Sequence, residues 1–321
     1  RYVDELTYRR APRWLSEGLA AWLAEPWDAD HRERLAALER DGGLLPWSEL
    51  DSALSTWQLA PARLSALYLL DPVTRTRERV TGLPTGVAGG LAFSPGGERL
   101  AMTLNTPKTP SDTFALPLGP GPLEHGELER WTYSEVGGLD SDSFVEPELV
   151  QYPTFDEVNG EPRMIPAFVY TPEGPGPHPV VVSIHGGPEA QYRPYFSSRY
   201  QMWLAKLGVA VVAPNVRGSA GYGKTYVALD NGFNREMSVK DIGALLDWIA
   251  AREDLDEERV AVFGGSYGGY MVLASAVMYS DRLQAAVDIV GISNFVTFLE
   301  NTEGYRRDLR RVEYGDERDP E

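Results

Sequence analysis

Apolar and polar residues follow different periods in successive parts of the chain. After residue 150, near-continuous apolar runs alternate with segments of helical spacing, and these runs cover 178–187, 208–215, 259–266 and 283–291. Short continuous apolar runs are typical of strands buried on both faces, and intervening helices allow such strands to lie parallel to one another. The pattern therefore predicts an α/β fold in which helices cover both faces of a parallel sheet.

The clearest predicted helix covers residues 238–252. One apolar stripe at helical spacing is formed by Ile242, Leu245, Leu246 and Ile249. Ser238 and Asp241 have the S-x-x-D spacing of a capping pair, whose side chains bind free backbone N–H groups of the first turn. We therefore predict that these two residues cap the helix. Further helices are predicted near 197–208 and directly after Ser266.

The segment 59–150 has a different, β-type pattern. Short alternating or β-rich runs are joined by turn residues, and Ser94-Pro95-Gly96-Gly97 predicts a tight turn between two strands. Such strands are typical of β-propeller blades. There is room here for about two blades, whereas a closed ring usually takes about 4–8. We therefore predict a partial β-propeller in this segment.

The first 58 residues are set apart by their tryptophans. Of the eight tryptophans in the chain, five lie here, at Trp14, Trp22, Trp27, Trp47 and Trp57. Pro12 is suited to the first turn of a helix, and Pro26 would end that helix.

The predicted domains are therefore a helical segment at 1–58, propeller blades at 59–150 and an α/β domain at 151–321. Within the last, Asn159-Gly160 between two strand-like runs predicts a β-hairpin.

Composition narrows the range of partners. The net charge of −17 argues against nucleic acid or an anionic membrane as a partner, because like charges repel. The chain has no cysteine, which excludes disulfides, cysteine-ligated metal and thiol catalysis. No apolar run approaches the ~18 residues of a membrane helix. We expect a cytoplasmic protein.

The two ends of the chain suggest a segment of a longer protein. The first residue is Arg1, and no charged-then-apolar leader follows it. The mixed-charge stretch at 303–321 is predicted to be a solvated loop and helix face that no terminal helix or strand ties down.

The stretch FGGSYGGYM at 263–271 carries the candidate chemistry. Gly264-x-Ser266-x-Gly268 follows a predicted strand and precedes a predicted helix, which is the context of a nucleophile elbow. The glycines allow a sharp turn that lifts the serine hydroxyl to the edge of the sheet. We therefore predict that Ser266 is a nucleophile. The alternative is a glycine-rich loop with an incidental serine.

A second loop, His185-Gly186-Gly187-Pro188, ends an earlier strand of the same predicted sheet. In many α/β-hydrolases such a loop supplies one N–H group to the oxyanion, and the residue after the nucleophile supplies another. We therefore predict the backbone N–H groups of Gly187 and Tyr267 as the donors. His185 could act as a base, but at a strand end a structural role is favoured.

Three longer motifs together resemble one family of enzymes. GGSYGGY, HGGPEAQYRP and NVRGSAGYGKTY together resemble the prolyl oligopeptidase family of serine peptidases, in its acylaminoacyl-peptidase-like branch, over residues 59–321. The resemblance implies an α/β-hydrolase domain preceded by a β-propeller, peptide substrates, an acyl-enzyme on Ser266 and no cofactor. It also suggests that Arg217 and Tyr222 brace their loop and do not touch substrate.

The resemblance also implies two catalytic residues that the sequence does not supply. In α/β-hydrolases an acidic residue and then a histidine follow the serine in the chain. All four histidines precede Ser266; they are His31, His125, His178 and His185. We therefore expect an α/β-hydrolase fold incomplete at its C-terminus, without the triad Asp and His. The 321-residue chain alone should show negligible turnover.

The N-terminal helix resembles another class. PRWLSEGLAAWL is similar to the helix that carries the third zinc ligand in gluzincin (HExxH-type) metallopeptidases, which would make Glu17 that ligand if an HExxH preceded it. One carboxylate cannot hold zinc, which takes three protein ligands in a catalytic site. We therefore expect no metal in this chain; the simpler alternative for Glu17 is an exposed or capping side chain on an amphipathic helix.

The sequence leaves several functions open. The leading hypothesis is a serine peptidase acting on short peptides. The alternatives are an α/β-hydrolase esterase, a non-catalytic binding protein that has lost its triad, and a zinc metallopeptidase activity of the N-terminal segment. The peptide specificity and the oligomeric state are likewise left open.

Overall fold

The computed structural model describes residues 67–71 and 73–319. The predictions for residues 1–58, Glu17 included, lie outside the described residues. The chain divides into two compact units, one up to Ser141 and the other from Asp142 onward.

The first unit consists of short antiparallel strands. β1 (Tyr68–Leu70) pairs with β2 (Arg77–Arg79). A four-stranded sheet follows in chain order, made by β3 (Val87–Phe93), β4 (Arg99–Asn105), β5 (Asp112–Pro117) and β6 (Glu129–Arg130). The turn predicted at 94–97 joins β3 to β4, and the Gly97 N–H donates to the Ser94 carbonyl at 2.9 Å. Alternate residues of β4, namely Leu100, Met102 and Leu104, are buried in its core, as a period of two requires.

The second unit is built on a six-stranded mixed sheet. Its strands are β7 (Glu148–Val158), β8 (Glu161–Tyr170), β9 (His178–Ile184), β10 (Ala210–Pro214), β11 (Leu255–Gly265) and β12 (Ala285–Ile289). Across the sheet the order is β12-β11-β9-β10-β8-β7. The four strands β12, β11, β9 and β10 are parallel, as predicted, whereas β8 and β7 add antiparallel pairs. The predicted hairpin joins these last two, with positive φ at Asn159 and Gly160.

Six α-helices connect or follow these strands in the described part of the chain. They are α1 (Ser198–Met202), α2 (Lys224–Val227), α3 (Met237–Ala250), α4 (Tyr267–Met278), α5 (Phe295–Glu300) and α6 (Gly304–Tyr314). A π-helical turn continues α1 through Trp203–Leu207. The three helices expected near 197–208, at 238–252 and after Ser266 are confirmed. In the described residues, no helix is both long enough and apolar enough to cross a membrane.

The core of the second unit lies between the sheet and its helices. Strand residues such as Val182 and Val262 share one buried cluster with Ile242, Leu245 and Ile249, part of the predicted stripe of α3. Burial of each such side chain contributes about 1.5–3 kcal/mol. The apolar stripe therefore fixes α3 against the sheet.

The predicted cap of α3 is wrong. The helix begins at Met237, and the Ser238 hydroxyl donates to the Arg235 carbonyl at 2.7 Å. The Asp241 carboxylate accepts hydrogen bonds from Arg217 and Thr154. Both predicted capping residues are fully buried, and in a buried place a charged partner stabilises a carboxylate more than a helix end does.

The prediction for residues 303–321 is wrong in part. The exposed face of α6, with Tyr305 and Leu309, is solvated as expected. At its end, however, Glu313 and Tyr314 are buried, and the Tyr314 ring lies 4.9 Å from that of Phe295. This aromatic packing holds the end of α6 against α5 within the second unit.

Candidate active site

Ser266 lies at a sharp turn between β11 and α4. Its φ and ψ are 56° and −120°, and its backbone N–H donates to the Ile289 carbonyl of β12 at 3.0 Å. Few non-glycine residues adopt a positive φ, and strain of this kind clusters at functional sites. Ser266 is exposed, although Gly264 before it and Tyr267 after it are buried. The turn therefore presents a serine hydroxyl to solvent at the carboxyl end of an inner strand of the sheet.

Two glycines are required by the packing of this turn. A Cβ atom on Gly264 would lie 2.3 Å from the Gly268 carbonyl oxygen. One on Gly268 would lie 2.3 Å from the carbonyl oxygen of Ile184 in β9. Because both obstacles are backbone atoms, no side chain can be accommodated without moving a strand or the helix. The packing of the turn therefore requires glycine at both outer positions of G-x-S-x-G.

The HGG loop runs beside the elbow. A Cβ atom on Gly186 would lie 3.6 Å from Ser266 Cβ, which places the two segments in contact. Gly187 has a φ of 148°, and its carbonyl accepts a hydrogen bond from Arg310 Nη1 at 3.2 Å. The structure therefore brings Gly187 and Ser266 to one place, and the donation of the Gly187 N–H to an oxyanion stays a prediction.

Tyr267 is the first residue of α4, so its N–H is one of those that a helix start leaves free for an anion. Its side chain points into the protein and is buried. The phenol donates to Asp230 Oδ2 at 3.1 Å and lies 2.8 Å from the Ser238 hydroxyl. Burial, followed by the charge of Asp230, raises the pKa of Tyr267 well above its ordinary value. The phenol therefore stays protonated and anchors the first turn of α4.

A buried ion pair lies beneath Tyr267. Arg235 Nη1 is 2.5 Å from Asp230 Oδ2, and both side chains are almost fully buried. The guanidinium lies between two rings, 5.3 Å from that of Tyr267 and 5.0 Å from that of Tyr314. Burial raises the pKa of Asp230 to about 6 against the opposing charge of Arg235, so the carboxyl is ionised at neutral pH.

Sequence reasoning did not find this pair. Asp230 and Arg235 lie in LDNGFNREMS, which has no motif and no apolar period that would mark buried charges. Their partners come from α4 and α6, so only the folded chain reveals the cluster.

His185 has other partners than Ser266. Its Nε2 lies 2.9 Å from the Ser219 hydroxyl and its Nδ1 lies 2.8 Å from the Gly186 carbonyl. Burial lowers the pKa of His185, which favours the neutral ring. These contacts support the structural role predicted for this residue.

The NVRGSAGYG loop is braced as predicted. Arg217 is buried and donates to Asp241 from Nε at 2.9 Å and from Nη2 at 2.8 Å. It also donates to Asp156 at 2.8 Å. Asn215 donates to the Tyr222 hydroxyl at 2.8 Å within the same loop. These side chains are engaged in holding the loop.

Comparison with known proteins shows sequence similarity over this part of the chain. Residues 194–321 match the model described as "Prolyl oligopeptidase family". An uncharacterized peptidase of Bacillus subtilis, YuxL, is 31% identical over 212 residues, which are 65% of this chain and 30% of that protein. Dipeptidyl aminopeptidase BIII of Pseudoxanthomonas mexicana is 37% identical over 129 residues, 40% of this chain and 19% of that protein. The chain therefore spans less than a third of the length of either relative.

Solved structures show a similar fold. A puromycin hydrolase gives a TM-score of 0.66 at 22% identity, with 79% of this chain and 37% of that chain covered. The acylaminoacyl peptidase of Pyrococcus horikoshii gives 0.63 at 23% identity, with coverage of 79% and 38%. At this level of identity the likeness concerns the fold alone.

Proposed function

We propose that the protein hydrolyses short peptides through an acyl-enzyme on Ser266, because residues 194–321 match the model of the prolyl oligopeptidase family. One observation carries the proposal: a strained, exposed serine at the end of an inner strand, with the HGG loop in contact beside it. Neither feature is needed to hold a sheet together, and both are needed to present a nucleophile.

In the proposed reaction, Ser266 Oγ attacks the scissile carbonyl carbon, and a histidine takes the hydroxyl proton. The carbonyl oxygen becomes an oxyanion that accepts hydrogen bonds from the N–H groups of Gly187 and Tyr267. The C–N bond then breaks, and the histidine gives its proton to the leaving amine. Water repeats the sequence on the acyl-enzyme and releases the acid. No metal or organic cofactor takes part.

The histidine and its carboxylate are proposed to follow Ser266 in the chain order of α/β-hydrolases. No histidine follows Ser266 within residues 1–321. We therefore propose that the triad His and, by the family resemblance, the triad Asp lie after Glu321 in a longer protein, and that residues 1–321 alone are inactive.

The remaining assignments rest on resemblance. We propose that 151–321 forms most of an α/β-hydrolase domain, that 59–150 contributes propeller blades, and that 1–58 is a metallopeptidase-like remnant. The four-stranded antiparallel sheet of the first unit has the form of one blade, which supports the second assignment. A cytoplasmic location is compatible with the absence of cysteine.

Turnover measurements test the proposal. The protein expressed from its complete gene should cleave an aminoacyl anilide, and Ser266→Ala should lower kcat by at least about 10³-fold, as loss of a serine nucleophile does in other serine peptidases. Residues 1–321 alone should show negligible turnover of anilides and esters. Efficient cleavage by the Ser266→Ala variant would refute the proposal, and cleavage of esters without anilides would favour an esterase.

A further inference from the structure

The two proposed oxyanion donors lie on separate segments, and both segments contact the end of α6. Gly187 is in the loop after β9, whereas Tyr267 begins α4. The distance between their N–H groups matters, because each donor must lie within about 2.7–3.1 Å of one oxyanion. Their relative position therefore needs a support that touches both.

Arg310 makes the contact with the loop. Its Nη1 donates to the Gly187 carbonyl at 3.2 Å, across 123 positions of sequence. The same nitrogen forms an ion pair with the Glu313 carboxylate, one turn further along α6. Both side chains are largely buried, with 19% and 6% of their surface exposed. The Glu313 carboxylate therefore holds the guanidinium in place against the loop.

Arg235 makes the contact with the elbow. Its Nε donates to the main-chain carbonyl of Glu313 at 3.1 Å, and its Nη2 donates to the same oxygen. Its guanidinium also lies against the Tyr267 ring and pairs with Asp230, which accepts from the Tyr267 phenol. The first turn of α4 is thus tied to Glu313 through Arg235.

We propose that Glu313 is a positioning residue for acyl transfer: its carboxylate holds Arg310 against the Gly187 carbonyl, and its main-chain carbonyl holds Arg235 beneath Tyr267. A single residue would then set the separation of the two N–H groups. The inference rests on the proposed function. Glu313 itself does not touch the reacting atoms, so its loss should affect the transition state and leave substrate binding unchanged.

The chain offers a matched control. Glu317 also pairs with an arginine of α6, Arg311, and only 7% of its side chain is exposed. In the described residues Glu317 makes no hydrogen bond to Gly187 or Tyr267. Glu313→Gln and Glu317→Gln therefore remove the same charge from the same helix end, but only the first loosens Arg310. Arg310→Met and Arg311→Met form a second matched pair, useful if Glu313→Gln fails to fold.

The experiment uses the protein expressed from its complete gene. A fluorophosphonate is the first probe, because its phosphoryl oxygen takes the place of the oxyanion while Ser266 is modified. Glu313→Gln and Arg310→Met should slow this labelling by about tenfold or more. This effect is smaller than the ~10²–10³-fold loss of kcat that removal of one whole oxyanion donor causes. A peptide aldehyde should bind more weakly by a similar factor, and kcat should fall with KM unchanged. The controls should stay within twofold of the unmodified protein.

Failure of the positioning role and failure of the proposed function give different results. If Ser266 is labelled but Glu313→Gln and Arg310→Met react as fast as their controls, the positioning role is wrong and the proposed function stands. If both variants raise KM and leave kcat unchanged, Glu313 acts on substrate binding and the inference is also wrong. If Ser266 is not labelled in the unmodified protein, the proposed function itself fails.

Discussion

The second unit contains two buried arginine–aspartate pairs, Arg217–Asp241 and Arg235–Asp230, and they differ in how completely the carboxylate is hydrogen-bonded. Asp241 accepts four hydrogen bonds on its two oxygens, three of them from Arg217 and one from Thr154. Asp230 accepts two, both on Oδ2, from Arg235 and Tyr267. Among the described residues, its Oδ1 is buried without a partner.

This difference indicates different roles. A fully satisfied buried pair rigidifies its surroundings, whereas a partly satisfied one carries an uncompensated desolvation cost. The Arg217 pair therefore serves as a brace for its loop. The Arg235 pair contributes less to stability and holds Tyr267 beneath the elbow.

The largest expected effect is at the brace. Asp241→Asn should lower the free energy of unfolding by about 3–5 kcal/mol, because it leaves the buried Arg217 without its charged partner. Urea denaturation measures this loss. Asp230→Asn is the matched change and at pH 7 should cost no more than about 1 kcal/mol, because burial already disfavours the ionised Asp230 carboxylate that the neutral amide replaces. An equal or larger loss for Asp230→Asn would contradict the comparison.

The next effect is on pH dependence. The pKa of Asp230 is about 6 in the folded protein against 3.8 as the ordinary value, so the folded state binds this proton more tightly than the unfolded state does. As the pH rises from about 4 to 6, the unfolded chain ionises first, and the free energy of unfolding falls. Above about 6 the loss is complete, at roughly 3 kcal/mol.

Denaturation of the unmodified protein and of Asp230→Asn across this range isolates the effect. Between about pH 4 and 6 the free energy of unfolding of the unmodified protein should fall relative to that of Asp230→Asn. Above this range the difference should stay constant. A difference that does not vary with pH would show that the carboxyl titrates normally.

The smallest effect concerns one hydrogen bond of the brace. Thr154 Oγ1 donates to Asp241 Oδ1 at 2.7 Å. Thr154→Val should cost about 1 kcal/mol in the free energy of unfolding, since Arg217 still pairs with the carboxylate. Thermal or urea denaturation detects a change of this size. A loss as large as that of Asp241→Asn would mean that the hydroxyl, and not the arginine, satisfies Asp241.

Much of the fold could be predicted because its signals are local. The elbow glycines, the hairpin at Asn159-Gly160 and the apolar stripe of α3 each follow from residues close together in the chain. For the hairpin and the stripe, the structural requirement, a positive φ or one buried face, acts within a few residues. The elbow is recognised from its local motif, although Gly268 is required by the distant Ile184 of β9.

The rest depends on partners far apart in sequence. Arg235 and Glu313 are 78 positions apart, and neither has a local pattern that identifies the other. The predicted cap failed at Asp241 for the same reason, since the distant Arg217 and Thr154 bind its carboxylate. Buried charges of this kind become predictable only once the packing of the helices is known.

The most direct test of the central claim is to identify the residue that a fluorophosphonate modifies. The protein expressed from its complete gene would be labelled, digested and examined by mass spectrometry. The account predicts a single modified peptide carrying the label on Ser266, and no labelling after prior denaturation or in Ser266→Ala. A label on another residue, or an unmodified Ser266 in the folded and complete protein, would contradict the assignment of Ser266 as the nucleophile.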